Sequence, residues 1–342
     1  MKVKQEELAS AEIRFGTLNN EHLKNVSVIE QKRSIREPYR RWSYSNIHLN
    51  FDNPIFEGQD NPSSSEDDDS SIVEIQKGRR GFYTFGNLRG ADLGNALHAT
   101  FEDVIGKIES NDEDALYRTI KKHFKRYGLI EPHDVVPVFQ RLLNRPLGAV
   151  WGNQSLNSYK DATQKTTSEM RFTMPLTSVK GEADVLIELA KLVVENDPDG
   201  PFKGFFESLL QQPSQLRLSQ GFLSGSIDLV APTLVGKRQY MVLDYKSNGL
   251  TSTNDFSYNS LSVEMASSGY PLQALIYSVA LHRHLTARLP DYEPHRHLGG
   301  ATYYYLRGAG LSDAQADEGI FHWSIPPELT KKASSCLRGD SI

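Results

Sequence analysis

Two stretches decide how this sequence folds: Gly221–Val230, GFLSGSIDLV, and Gln239–Asn248, QYMVLDYKSN. Each is an apolar run of strand length rich in β-branched and aromatic residues, and a turn around Gly236 joins them, so Phe222–Ala231 and Gln239–Lys246 read as paired strands. Side chains on a strand alternate between faces. Tyr240, Val242, Asp244 and Lys246 therefore share one face, and Met241, Leu243 and Tyr245 share the other. In the first strand Asp228 interrupts an apolar run between Ile227 and Leu229. A hairpin brings Asp228 and Asp244 close at one end of the sheet, where two carboxylates repel and a divalent cation neutralises them. An isolated D-x-K is as a rule an ordinary cross-strand ion pair, and a lone Asp in a strand a turn cap, so the pattern needs support from elsewhere in the chain.

Working outward, Leu93, Leu97, Phe101, Val104 and Ile108 recur at helical spacing, which predicts an amphipathic helix over Gly94–Ile108. His98 lies beside that apolar stripe with Glu102 one turn on; such a His is either a core or capping residue or a ligand. Asp114–Arg126, Gly181–Val194, Phe202–Leu210 and Tyr270–Leu289 read as helices, the last ended by Pro290, and Ala301–Leu306 as a strand. Tyr270, Gln273 and Tyr277 form a polar stripe at i, i+3 and i+7 on an otherwise apolar helix. Helix, strand pair, helix and strand make an α/β layered domain. Lys121, Lys122, Lys125 and Arg126 form a basic patch, either a solvated face or a DNA contact.

Composition narrows the class. The 342 residues carry 38 Lys+Arg against 43 Asp+Glu, a net charge of −5, so any claim on nucleic acid must rest on a site. The single cysteine, Cys336, excludes an intrachain disulfide framework, a cysteine-rich zinc site and a four-cysteine iron–sulfur cluster. No apolar run reaches the ~20 residues of a membrane span, and Met1–Asn20 has no hydrophobic signal region, so a cytoplasmic protein is expected. Residues 1–41 read as a polar tail or linker remnant, 42–342 as one domain entered by a short strand in Trp42–Phe51, and 57–72 as a disordered acidic loop.

An acid followed on the next strand by acid-x-Lys is the pattern of the PD-(D/E)XK nucleases. LHATFED, GSIDLV, LDYKSN, YPLQALIYSVALHRHL and GGATYYYLRG, in that order, resemble the C-terminal nuclease domain of the RecB family, from about Trp42 to Phe321. The resemblance implies a restriction-endonuclease-like core, a mixed central sheet flanked by helices. It also implies a Mg²⁺-dependent deoxyribonuclease of the exonuclease V beta-subunit type, with Mn²⁺ able to substitute. Carried over, it makes His98, Asp228, Asp244 and the Tyr245 backbone carbonyl the metal ligands and Lys246 the catalytic lysine. Tyr270, Gln273 and Tyr277 then match a Q-x-x-x-Y motif that supports the site or contacts DNA, and Glu169, in SEMRFTMPL, an acid preceding the metal motifs. The implied partners are DNA, single strands preferred, RecC-like and RecD-like subunits and a helicase part on the same or another chain, in a nucleoid-associated bacterial setting. The sequence has no GxxxxGK[ST] phosphate loop, so no ATP motor is expected in it. The competing expectation is a nuclease fold that has lost catalysis and only binds DNA or a subunit. The retained His98, Asp228, Asp244 and Lys246 speak against it.

Overall fold

The computed structural model describes residues 40–43, 84–159, 166–177, 185–211, 221–234, 238–250 and 255–340, all within the unit Tyr39–Ile342. The expected tail up to residue 39, the acidic loop, most of the Trp42–Phe51 strand and the Gly236 turn lie outside them, whereas Arg40 and Arg41, assigned to the tail, belong to a strand. The described strands form one mixed six-stranded sheet: β1 (Arg40–Ser43), β2 (Thr167–Leu176), β3 (Gly221–Pro232), β4 (Tyr240–Lys246), β5 (Leu298–Tyr305) and β6 (Ile320–Trp323). The long strand β3 organises it. Along one edge β3 pairs antiparallel with β2 from Gly221 to Val230. The other edge is divided, with β1 parallel on Gly221–Ser224 and β4 antiparallel on Leu229–Pro232. β5 then pairs parallel with β4, and β6 antiparallel with β5.

Alternation along β4 sorts the two layers as expected. Met241, Leu243 and Tyr245 belong to the core beneath α1 (Gly90–Val104), α2 (Glu113–Arg126) and α3 (Val135–Asn144). Val242 belongs to the opposite core, built with α4 (Val185–Asn196), α5 (Lys203–Gln211), α6 (Tyr258–Ser267), α7 (Tyr270–Arg288) and α8 (Pro327–Arg338). Helix α1 buries Leu93, Leu97, Phe101 and Val104, but it stops at Val104 and leaves Ile108 beyond its end. Gly106 explains the stop: its φ is +72°, and a Cβ there would meet the Tyr159 carbonyl oxygen at 3.0 Å. Helix α7 carries Pro271 in its first turn and buries every residue from Pro271 to Leu281, the pattern of a helix packed on several sides. Among the described residues no helix is long and apolar enough to cross a membrane.

One irregularity places the site. Between Tyr240↔Leu298 and Val242↔Ala301 the ladder gains a residue on β5, a β-bulge at Gly299–Gly300. The extra residue exchanges the two faces of β5, so that Tyr303, not Thr302, stands opposite Asp244. Gly300 sits at φ +92°, and a Cβ there would lie 2.4 Å from the Trp323 carbonyl oxygen. Gly300→Ala is therefore expected to destabilise the fold by ~1–3 kcal/mol or more, from left-handed strain plus a backbone clash. Thermal melts should show a drop of several degrees, whereas an unchanged melting temperature would mean that the bulge has room for a side chain.

Candidate active site

The site lies where β3 parts from both of its neighbours. Continuing the β2–β3 register by one residue sets Asp228 opposite Glu169, and continuing the β3–β4 register sets it opposite Asp244; neither pair is in the ladder. Glu169 shows why on the β2 side. Its φ is +49°, left-handed for a residue with a Cβ, a conformation that costs on the order of 1–3 kcal/mol and persists where the surroundings impose it. The strands change face at this point: Ile227 packs toward α7, and Leu229, two residues on, toward α1. On the β4 side, Asp228 Oδ2 accepts the Tyr245 backbone N–H at 2.7 Å, a side chain standing in for a main-chain partner.

Three elements fill the space this opens. From α1, His98 Nδ1 lies 3.4 Å from Asp228 Oδ1, with its ring edge-on to Tyr245 at 5.6 Å. Phe101, one turn on, stacks on the same tyrosine ring at 4.6 Å and so registers α1 on β4. From β2, the Glu169 carboxylate accepts the Ser226 hydroxyl at 2.8 Å. His98, Glu169 and Asp228 can each offer one ligand atom, all within 4.8 Å of one another. Two carboxylates and an imidazole at that spacing suit a divalent cation, the imidazole favouring the softer ones. Asp244 stands outside that trio, 3% exposed, its Oδ2 2.6 Å from Lys246 Nζ.

Lys246 is held on every side the structure describes. Its ammonium lies 4.0 Å over the Tyr270 ring and 5.3 Å from that of Tyr303, and it donates to Gln273 Oε1 at 3.2 Å. Gln273 cannot flip without loss, because its Nε2 donates to the Tyr277 hydroxyl at 3.2 Å while Oε1 also accepts from Tyr303 at 3.0 Å. The Q-x-x-x-Y spacing is thus the spacing that points the Gln carbonyl at the lysine. Burial pushes the Asp244 carboxyl up against the opposing pull of Lys246. Burial also raises Glu169, against its bond from Ser226, with Asp228 adding repulsion. Burial pulls His98 down, but Asp228 and then Asp244 outweigh it and bring the imidazole up to about 9.

The expected residues His98, Glu169, Asp228, Asp244, Lys246, Tyr270, Gln273 and Tyr277 fall in this region, but the trio close enough to share an ion is His98, Glu169 and Asp228 without Asp244, and Tyr245, expected to contribute its carbonyl, meets Asp228 through its N–H. Three contributors carried no expected role. Tyr303 steadies Gln273, and Ser226 steadies Glu169. Arg307, 2% exposed, donates from Nε to the Ser247 carbonyl at 2.6 Å and from a terminal nitrogen to the Leu88 carbonyl at 2.9 Å. It ties the chain just past Lys246 to the chain entering α1. The α2 patch is partly neutralised, with Lys122 Nζ 2.7 Å from Asp103 and Lys121 3.9 Å from Glu131.

The model of the PD-(D/E)XK nuclease superfamily matches residues 79–333. The chain belongs to that superfamily. Its curated relatives include the RecBCD enzyme subunit RecB of Mycobacterium tuberculosis (strain ATCC 25618 / H37Rv), 33% identical over 273 residues, 72% of this chain and 24% of the relative. RecB of Escherichia coli (strain K12) is 27% identical over 236 residues, 68% of this chain and 18% of the relative. RecB of Haemophilus influenzae (strain ATCC 51907 / DSM 11121 / KW20 / Rd) is 40% identical over 109 residues, 32% of this chain and 8% of the relative. The chain spans about a quarter or less of the length of these relatives, and the mixed sheet with helices on both faces is the superfamily's architecture.

The titrating groups give a signed expectation for the protein kept in a chelator. His98 holds its proton up to about 9 when folded and 6.5 when unfolded, so its contribution to stability is whole below pH 6.5 and is lost as pH rises through 9. Raised Asp244 has the same sign, but its contribution is lost as pH rises from 3.8 through about 6, below this window, so the fall between pH 6.5 and 9 is read from His98. The melting temperature in EDTA should therefore fall from pH 6.5 to pH 9, and His98→Gln should flatten that fall. A wild-type curve that rises over this range would contradict the electrostatic account.

Proposed function

We propose that this chain is a divalent-metal-dependent deoxyribonuclease. It hydrolyses phosphodiester bonds with Mg²⁺, Mn²⁺ substituting, and prefers single-stranded DNA. The observation that carries this reading is the convergence on Asp228 of Glu169, His98 and the Tyr245 N–H, one strand away from a lysine surrounded by Asp244, Gln273, Tyr270 and Tyr303. His98, Asp228, Asp244 and the Tyr245 carbonyl would hold the ion, with Glu169 as a further oxygen donor. When bound, the ion supplies charge to polarise the scissile phosphate and lower the pKa of an attacking water. Lys246 orients that water and stabilises the negative charge that develops on the phosphate. Gln273, Tyr270, Tyr277 and Tyr303 keep Lys246 in place.

The relatives extend the reading to a biological setting. The chain would act as the nuclease part of a RecBCD-type helicase–nuclease, in recombinational double-strand-break repair and the degradation of linear DNA. RecC-like and RecD-like subunits would be its partners, with a helicase part on the same or another chain, in the bacterial cytoplasm at the nucleoid. With net charge −5 and much of the α2 patch already paired, the chain alone should bind DNA weakly and cut it slowly. Its affinity should fall steeply with salt.

Purified protein with linear single-stranded DNA and Mg²⁺ should show cleavage that EDTA abolishes and ATP does not stimulate. Asp244→Ala, Lys246→Ala and Asp228→Ala should each lower the rate by ~10²–10³ or more with the fold intact by circular dichroism. Near-full activity in any of them would sink the site assignment. His98→Ala should weaken Mn²⁺ binding in a calorimetric titration relative to an exposed control such as Val263→Ala, because it removes the nitrogen donor that suits Mn²⁺. Superimposable titrations would return His98 to a packing role.

A further inference from the structure

Both carboxylates of the His98–Glu169–Asp228 trio are held by a protein donor, and the two donors differ in kind. Asp228 Oδ2 accepts the Tyr245 backbone N–H at 2.7 Å, a main-chain bond that does not depend on the side chain at 245. Glu169 Oε2 accepts the Ser226 hydroxyl at 2.8 Å, a bond that depends on the identity of one residue. Glu169 needs such a partner. It is the one residue between Thr167 and Leu176 that the β2–β3 ladder leaves out, and at φ +49° its Cβ does not take the direction a regular strand would give it. Burial of its charge and repulsion from Asp228 both work against the carboxylate staying in the cluster. Its half-buried side chain has three rotatable bonds with which to turn away. Ser226 stands opposite Arg171, two residues along β2 from Glu169, so its bond to the carboxylate is a diagonal one across the strand pair.

We propose that Ser226 is a positioning residue that sets the cation affinity of this site, its hydroxyl keeping the Glu169 carboxylate beside Asp228 and His98 before an ion arrives. The inference deepens the nuclease reading and rests on its metal site. A hydroxyl suits the task. It donates one proton to a carboxylate that has several lone pairs, so Glu169 keeps the capacity to ligate. It is also neutral, whereas a lysine or arginine in its place would hold the carboxylate but cancel the charge that attracts a cation. Groups that orient a ligand in this way govern affinity without touching the ion. A bond that merely joined β2 to β3 would act differently: its loss would lower the melting temperature and leave ion binding as it was.

The experiment titrates Mn²⁺ into the metal-free full chain and follows free Mn²⁺ by electron paramagnetic resonance, with thermal melts in EDTA alongside. Ser226→Ala and Ser226→Val should each raise Kd by ~10- to 100-fold, the range for losing a partner that orients a metal ligand. Ser226→Thr keeps the hydroxyl and should stay within about threefold of wild type. Threonine and valine have the same shape, so the difference between those two variants reads the hydroxyl alone, even where the added methyl disturbs the strand. Because Ser226 acts through Glu169, Ser226→Ala placed in a Glu169→Ala background should change Kd by less than about twofold. The Mg²⁺ concentration for half-maximal DNA cleavage should rise in the same order as Kd. A titration of Ser226→Ala superimposable on wild type would overturn the proposal, as would equal losses in Ser226→Thr and Ser226→Val or an undiminished effect in the Glu169→Ala background. A wild type that binds no Mn²⁺ would refute the metal site itself and the proposal with it. A wild type that binds Mn²⁺ but never cleaves DNA would refute the nuclease reading alone, and the titrations would still decide the role of Ser226.

Discussion

The carboxylate of Asp228 accepting the Tyr245 backbone N–H is the contact on which the rest of the site depends. A buried backbone donor without a partner costs on the order of 1–3 kcal/mol, so two sheet strands cannot simply separate in the interior. Here they separate because an aspartate supplies the acceptor that the ladder no longer does. The opening so made is a site because the same side chain has a second oxygen, which meets His98. One residue thus keeps the sheet intact on one side and, on the other, gathers groups able to hold a cation.

The lysine is arranged by a different logic. Its charge is buried, which is costly unless it is paired and hydrogen-bonded. Asp244 provides the pairing, Gln273 the hydrogen bond and two tyrosine rings the favourable faces. The direction of Gln273 is itself fixed by Tyr277 and Tyr303. Such a chain of bonds restricts the lysine to one position before any substrate arrives, and pre-organisation of that kind is where electrostatic stabilisation of a transition state originates. Arg307 acts at longer range by joining the carbonyl after Lys246 to the one before α1, the helix that carries His98.

Much of this was legible in the sequence, for identifiable reasons. Period-two alternation in β4 is undisturbed, so the shared face of Asp244 and Lys246 could be read directly. The helices with clear apolar stripes were also visible, α1 to within one turn of its end, where Gly106 broke a pattern that Ile108 continued by coincidence. Five of these elements escaped: α3 and α8, whose segments carry a helix-disfavouring Pro137 and two adjacent serines, α6, the four-residue β6, and β2, whose Glu169 interrupts the alternation. That interruption is the site asserting itself, since a residue at positive φ cannot be foreseen from a pattern that assumes regular strands. Tyr303 and Arg307 lay within a stretch that resembled a known motif, but no local rule said which of three successive tyrosines would face the lysine.

The Gly299–Gly300 bulge decided that question, and it bears on how this chain can vary. Because one added residue selects which tyrosine reaches Gln273, the sheet counts β5 by parity. Removing a single residue between Leu298 and Thr302 would turn Thr302 toward the lysine and drive Tyr303 into the opposite layer, against Leu243 and Tyr245. Removing or adding two would preserve the faces and shift only the position along the strand. Tolerated length changes in this segment should therefore come in even steps, and an odd step should survive only alongside a second odd step nearby that cancels it.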